Sequence, residues 1–310
     1  MTQTFPYEHL LDIERLSPID INNVLDLADR YAEPAASLSR KSTKLAGKIV
    51  VNLFFEPSTR TRTSFEIAAK RLGADVVNIA IEHSSTQKGE TLLDTVLNLD
   101  AMGIDALIIR HPESGVPRVL SGLTKASIIN AGDGTNEHPT QALVDALTMR
   151  RHKNTLKGLI VAICGDVAHS RVARSNINLL HKMGAEVRIV APPYFNTDAY
   201  DALNVESFED MKDGLKDADV VMMLRIQHER MSQGEFAVSL KDYHQRYGLD
   251  HKKLAVAKPD VIVMHPGPVN REVEITNQLA DDEKYSVIRE QVALGVAVRM
   301  ALLDLLLSSS

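Results

Sequence analysis

Cysteine is almost absent from the chain: Cys164 is the single one in 310 residues. No intrachain disulfide can form, and a zinc site built on thiolates has too few ligands. Long apolar runs are missing too. The longest apolar stretch of helical character, 292–307, is interrupted by Arg299 and Asp304. Nothing approaches the roughly 18 consecutive apolar residues that a membrane helix needs. The opening residues, MTQTFPYEHLLDIERL, lack a basic region followed by an apolar one, so no secretory signal is expected. Positive charge is not in excess either. The formal net charge is −6, which gives no global attraction to nucleic acid or to an anionic membrane. Any anion must therefore be drawn by a local cluster of Arg and Lys. Repeats and low-complexity tracts are lacking as well. What remains is a chain with 44% hydrophobic and 25% charged residues, ordinary for a soluble globular protein and expected in the cytoplasm. Its length suits two domains of ordinary size.

Strand-like and helix-like segments alternate along the sequence. Residues 48–55 (KIVVNLFF) form a continuous apolar run, as in a strand buried on both faces. A helical spacing follows over 61–72, closed by Gly73. Strands are expected at 75–81, 106–110 and 127–130, with helices at 89–102 and 116–122. After the polar stretch 150–157 the pattern resumes, with strands at 159–164, 186–190, 219–224 and 261–264 and a helix at 171–183. The expected fold is α/β: two doubly wound parallel-sheet domains joined by a hinge helix at 139–151. A last helix, from about 286 to 307, lies beyond the second sheet and is expected to dock back on the first domain. The boundaries are then 1–138 plus 288–310 for one domain and 139–287 for the other. The long polar stretch 227–251 reads as a mobile active-site loop.

The strongest local signal is FFEPSTRTRTSFE, residues 54–66. A strand ends at Glu56, Pro57 halts the ladder, and Ser58 stands where a helix N-cap belongs. The hydroxyls of Ser58, Thr59 and Thr61 and the free backbone N–H groups converge at a helix N-terminus. That end carries partial positive charge and suits a phosphate. Arg60 adds a planar donor fork for a phosphoryl or carbonyl oxygen. An ordinary capped helix with exposed arginines is the plainer reading. Three hydroxyls and two arginines in five positions, however, exceed what a cap requires.

This segment resembles the carbamoyl phosphate signature S-T-R-T of the aspartate and ornithine carbamoyltransferases. The resemblance continues in order along nearly the whole chain. Arg110-His111-Pro112 is similar to the family's R-H-P element, and 136–141 (NEHPTQ) to its H-P-T-Q element, which gives His138 and Gln141. The ornithine enzymes typically carry H-C-L-P and S-M-G elements. This chain has His265-Pro266-Gly267-Pro268 and no S-M-G. It has instead Arg225-Ile226-Gln227-His228-Glu229-Arg230, similar to the R-x-Q-x-E-R element of aspartate carbamoyltransferase catalytic chains. Arg171, within GDVAHSR, resembles the other aspartate-side arginine. Bidentate arginines suit the two carboxylates of aspartate, whereas the side-chain cation of ornithine needs an acid. Ser84 and Lys88, in HSSTQKGE, resemble a loop that in the family enters the active site of a neighbouring subunit, with Ser85 an alternative to Ser84.

The resemblance implies transfer of the carbamoyl group of carbamoyl phosphate to the α-amine of L-aspartate, an early step of pyrimidine biosynthesis. Ser58, Thr59, Arg60, Thr61 and Arg110 hold the phosphate, with Ser84 and Lys88 from the neighbour. Arg60, Thr61 and His138 donate to the carbamoyl oxygen as its charge develops. Gln141 and the carbonyls near Pro266 and Gly267 orient the carbamoyl NH2. Lys88, Arg171, Arg225 and Gln227 hold aspartate, and closure of two domains excludes water. No metal or organic cofactor is implied. A homotrimer is, alone or in a larger assembly with regulatory or dihydroorotase-type chains. Taken singly, several of these residues have plainer readings. Arg171 suits a solvated surface, Arg225 a nearby carboxylate, His138 a helix start, and Lys88 a polar loop. His265 is read as a buried, hydrogen-bonded histidine. Rival functions are transfer to another amine, a silent subunit of the same fold, and dinucleotide binding. The last lacks a G-x-G-x-x-G after either first strand.

Overall fold

The structure, a computed structural model, describes residues 5–33, 42–80, 90–195, 200, 205–227 and 239–308. The chain divides into two compact units, Met1–Leu147 with Ala293–Ser310, and Thr148–Val292. The division falls inside two helices.

The first unit runs α1 (Pro18–Ala32), β1 (Ile49–Phe54), α2 (Thr59–Leu72), β2 (Asp75–Ala80), α3 (Leu92–Ala101), β3 (Ala106–His111), α4 (Val116–Ser121), β4 (Ser127–Asp133) and the start of α5 (Pro139–Lys153). Its sheet is parallel throughout, in the order β2-β1-β3-β4. The chain steps from β1 outward to β2, then crosses back to β3 and on to β4. The winding therefore reverses between β1 and β3, and a crevice opens at the carboxyl ends of those two strands. Helices on the sheet bury its faces, which is why β1 and β3 are apolar without alternation. Val51, Leu53, Leu107, Ile109 and Ile128 meet Leu11, Val96 and Leu120 in one core cluster.

The second unit repeats this plan with β5 (Ile160–Cys164), α6 (Arg171–Lys182), β6 (Glu186–Val190), β7 (Glu206–Phe208), α7 (Met211–Leu215), β8 (Val220–Met223), α8 (Leu240–Tyr247), α9 (His251–Leu254), β9 (Ile262–Met264) and α10 (Asn277–Ala280). Its parallel sheet has the order β7-β6-β5-β8-β9. The winding reverses between β5 and β8. Among the described residues no helix is long and apolar enough to cross a membrane.

The two doubly wound sheets agree with the sequence reading. Six elements were not foreseen: α1, β7, α7, α8, α9 and α10. For α1 a signal existed. Ser17 and Asp20 form a reciprocal capping box with Pro18 at the helix start, and Ile21, Val24, Leu25 and Ala28 face inward at helical spacing. The stretch read as a loop over 227–251 holds α8, and α9 begins at its end. Residues 228–238 lie outside the described residues.

The last helix, α11 (Ile288–Leu307), packs within the first unit from Ala293 onward. Its two charged interruptions explain how. Asp304 accepts a hydrogen bond from the Tyr31 hydroxyl at 2.7 Å and one from Ser308 at 2.7 Å, and pairs with Lys44. Burial pushes the Asp304 carboxyl up, but the bonds from Lys44, Ser308 and Tyr31 outweigh it and hold the group below its ordinary value. Arg299 lies with its guanidinium 5.0 Å from the centre of the Phe65 ring.

Two predictions follow from these contacts. A carboxylate with a lowered native pKa adds stability above its unfolded pKa and loses it as pH falls through the native one. The stability lost in Asp304→Asn should thus hold constant from neutral pH to about pH 4 and shrink below. Denaturant midpoints at several pH values check this, and a gap that widens on acidification contradicts it. The second concerns two glycines that follow helices in left-handed backbone, Gly73 (φ +89) and Gly103 (φ +79). A methyl added at Gly73 would strike the Ser42 carbonyl oxygen, whereas one at Gly103 meets nothing within 4 Å. Gly103→Ala should cost about 1–3 kcal/mol of backbone strain, and Gly73→Ala distinctly more. Equal urea midpoints for the two variants would contradict the steric argument.

Candidate active site

In the first unit, the carboxyl end of β1 runs through Glu56 and Pro57 to α2. Ser58 occupies the N-cap position with extended backbone (φ −157), yet its side chain makes no capping bond, and the first turn carries no acidic residue. The partial positive charge of this helix end is therefore not offset by an acid in that turn. Thr59 and Arg60 are exposed and Thr61 is buried. The next strand supplies the second cation. In the β1–β3 register Phe54 lies opposite Arg110, and the Phe55 N–H donates to the Arg110 carbonyl at 2.8 Å. The Arg110 guanidinium is held by Glu56, Nε to Oε2, at 3.0 Å. The sequence reading took Glu56 only as the end of the strand before Pro57 and gave it no role toward Arg110.

The following residues are fixed by polar turns. Burial lowers the pKa of His111, and its Nδ1 accepts the Glu113 N–H at 3.0 Å across Pro112. The Asp133 carboxylate accepts from Gly115 N–H (2.7 Å), Asn136 Nδ2 (3.1 Å), Asn130 Nδ2 (2.8 Å) and Glu137 N–H (3.1 Å). This buried knot shapes the turn from β4 to α5, at whose start stands His138, 4% exposed. Its Nδ1 lies 3.5 Å from Thr140 Oγ1. One turn into α5, Gln141 Nε2 donates to Asp145 Oδ1 at 2.8 Å. Ser58, Thr59, Arg60, Thr61, Arg110, His138 and Gln141 thus all stand at or beyond the carboxyl ends of β1, β3 and β4 in one sheet.

The second unit has its own cluster at the reversal between β5 and β8. Gly165 sits after β5 with φ +115, and a side chain there would press to 2.9 Å on the Leu224 carbonyl oxygen. The close approach lets Asp166 reach across. This buried acid accepts the Gln227 N–H at 2.9 Å and faces His169 Nδ1 at 2.8 Å. Ser170 caps α6 by accepting the Ala173 N–H, and Arg171 follows at 2% exposure. Arg171 is therefore no solvated surface residue. At the end of β8, Arg225 Nη2 donates to Gln227 Oε1 and Gln227 Nε2 to the Arg225 carbonyl, each at 3.3 Å.

Beyond β9, His265 is buried, as its sequence context suggested. Its Nδ1 accepts the Gly267 N–H at 2.9 Å, which places the ring proton on Nε2, 3.0 Å from Glu274 Oε1. Glu274 also accepts the Asn270 N–H at 2.5 Å. This scaffold holds Pro266 and Gly267 in a turn that continues through a cis Gly267-Pro268 bond. Ser84 and Lys88 lie outside the described residues, as do His228, Glu229 and Arg230. Among the described residues, no group of three or more His, Cys, Asp or Glu could hold a metal ion. Sequence reasoning found the site cations and assigned no role to four acids around them: Glu56, which pairs with Arg110, and Asp133, Asp145 and Asp166, which fix turns and the Gln141 and Gln227 positions.

Both halves of the chain match known proteins. Residues 8–151 match the carbamoyl-P binding domain of the aspartate/ornithine carbamoyltransferases, and residues 157–306 match their Asp/Orn binding domain. The aspartate carbamoyltransferase catalytic subunit of Rhodospirillum centenum is 61% identical over 97% of this chain and 95% of its own length. That of Parvibaculum lavamentivorans is 58% identical over 97% and 92%. The crystal structure of aspartate transcarbamoylase from Trypanosoma cruzi in complex with carbamoyl phosphate and aspartate superposes with a TM-score of 0.88 at 31% identity, covering 96% of each chain. The ornithine carbamoyltransferase of Pyrococcus furiosus gives 0.86 at 25% identity, covering 97% of each. With both halves matched in order and relatives aligned over nearly their full length, the chain belongs to the aspartate/ornithine carbamoyltransferase family.

Proposed function

We propose that the chain transfers the carbamoyl group of carbamoyl phosphate to the α-amine of L-aspartate, giving N-carbamoyl-L-aspartate and phosphate. One observation carries the reading. The N-terminus of α2 presents Ser58, Thr59 and Thr61 without spending the Ser58 hydroxyl on the helix, and Arg110 stands on the adjacent strand. That is a phosphate receptor at a sheet reversal. The choice of aspartate rests on Arg171, Arg225 and Gln227 in the second unit, and on relatives named for aspartate at about 60% identity.

Carbamoyl phosphate carries its own leaving group, so a direct attack by the neutral α-amine suffices. Phosphate is assigned to Ser58, Thr59, Arg60, Thr61 and Arg110. Negative charge grows on the carbamoyl oxygen during attack, and Arg60, Thr61 and His138 are assigned as its donors. Their contribution is preorganised, since the helix end and the buried turn at His138 are set before substrate arrives. Gln141 and the carbonyls at Pro266 and Gly267 receive the carbamoyl NH2. The carboxylates of aspartate go to Arg171 and Arg225, with Gln227 and Lys88 assisting. The departing phosphate takes the amine proton. Ser84 and Lys88 are assigned to a neighbouring subunit, so the working form is read as a cytoplasmic homotrimer, alone or joined to regulatory or dihydroorotase-type chains.

The test is product formation from carbamoyl phosphate with L-aspartate and with L-ornithine in parallel, without added metal. Carbamoyl aspartate alone is expected; citrulline alone would overturn the roles of Arg171, Arg225 and Gln227. Arg60→Ala should lower turnover by about 10²–10³, the usual loss for one preorganised oxyanion donor, and near wild-type turnover in that variant would sink the assignment. Inactive Arg60→Ala and Lys88→Ala chains, mixed under exchange conditions, should recover part of the activity. If exchange is shown and none returns, the neighbour-subunit assignment fails.

A further inference from the structure

The transferred group of carbamoyl phosphate bears an NH2, and the residue assigned to read it, Gln141, carries an amide. An amide is nearly symmetric in shape, but one end accepts hydrogen bonds and the other donates. Only the accepting end can bind a substrate NH2. Something must prevent the glutamine from turning over.

The structure supplies that something. The NH2 end of Gln141 points at Asp145, Nε2 to Oδ1, at 2.8 Å. An ionised carboxylate only accepts, so the chemistry alone requires the NH2 end to face it. Asp145 is fully buried, and a buried carboxyl tends to take up a proton and become a donor. Arg299 opposes this. It comes from α11, is 3% exposed, lies over the Phe65 ring, and donates from Nη1 to the Gly295 carbonyl at 2.9 Å. Burial lowers its pKa to about 10, so it stays charged at neutral pH, and the Asp145 carboxylate supplies the favourable opposite charge. Even the helix backbone is adapted. A methyl at Gly295 would lie 2.6 Å from Arg299 Nη1, which accounts for a glycine amid α11.

We propose that Asp145 is a positioning residue that fixes the polarity of the Gln141 amide and so selects an NH2 over a methyl on the transferred group. The inference rests on the carbamoyl phosphate reading of the first cluster. Carbamoyl phosphate and acetyl phosphate differ at that one group, so the pair is the natural probe. The informative variant is Asp145→Leu with Arg299→Met, which removes the acceptor and its counter-charge together and leaves no buried unpaired ion. The readout is the preference for carbamoyl phosphate, kcat/KM for that donor against the inhibition constant of acetyl phosphate.

In the double variant the preference should fall about tenfold, the scale of one neutral hydrogen bond. Affinity for inorganic phosphate should stay within about twofold, because phosphate never meets the amide; a general disruption of the site would weaken it too. In a Gln141→Ala background the same two changes should alter the preference no further. If the double variant does not fold, Asp145→Asn serves instead, since an amide at 145 can pair with either end of Gln141 and the preference should fall in the same direction. A preference retained with phosphate binding intact overturns the inference alone. A wild-type chain that does not prefer carbamoyl phosphate overturns the reading beneath it as well.

Discussion

The parallel pairing of β1 with β3 is the constraint on which the first cluster depends. Their register sets Phe54 beside Arg110, so the loop that leaves β1 toward α2 runs past the guanidinium on the neighbouring strand. A slip of one residue would turn Arg110 to the other face of the sheet. It would also part Glu56 from the arginine it holds. The register is in turn secured by burial on both faces, where Leu53, Leu107, Ile108 and Ile109 are all inaccessible to solvent. Apolar packing thus decides where a charged group stands, although the packed residues touch no substrate.

Much of the fold could be read from the sequence, for a physical reason. Parallel strands covered on both sides appear as unbroken apolar runs, and KIVVNLFF and LIVAIC left little choice. The short β7 (Glu206–Phe208) could not be read that way, because two of its three residues are exposed and no run exists to find. The cations of the site were legible from motifs. The acids around them, one pairing with Arg110 and the others fixing turns and amides, were not, because contacts between strands obey register rather than spacing. Glu56 and Arg110 stand 54 residues apart, Asp166 and Gln227 61 apart. Arg299 and Asp304 first looked like interruptions of an apolar stretch. Each is instead a point at which α11 is tied into the first unit.

Three His-Pro steps, at 111, 138 and 265, border the clusters. In two of them the histidine Nδ1 accepts the N–H of the residue two further on. Proline has no N–H to offer, and it holds the residue before it in extended backbone. The imidazole reaches over the proline and ties down the next free donor. These histidines act as struts for turns, a use that needs a ring nitrogen and not a titrating one. A histidine next to a proline in such a chain is weak evidence for acid–base chemistry. In the proposed reaction phosphate is its own proton acceptor, and His138 is assigned only as a hydrogen-bond donor beside Arg60 and Thr61.

The first unit is discontinuous, because its last structural piece, α11, is encoded after the whole of the second unit. On the ribosome, domains ordinarily fold in the order in which they emerge. Here that order is inverted. The second unit has all of its residues by Val292, while the first still lacks the helix that covers Phe65 and bonds to Tyr31. The phosphate-receiving half of the protein is therefore the later one to be completed. A nascent chain released before its final residues would retain a finished second unit beside an open first one.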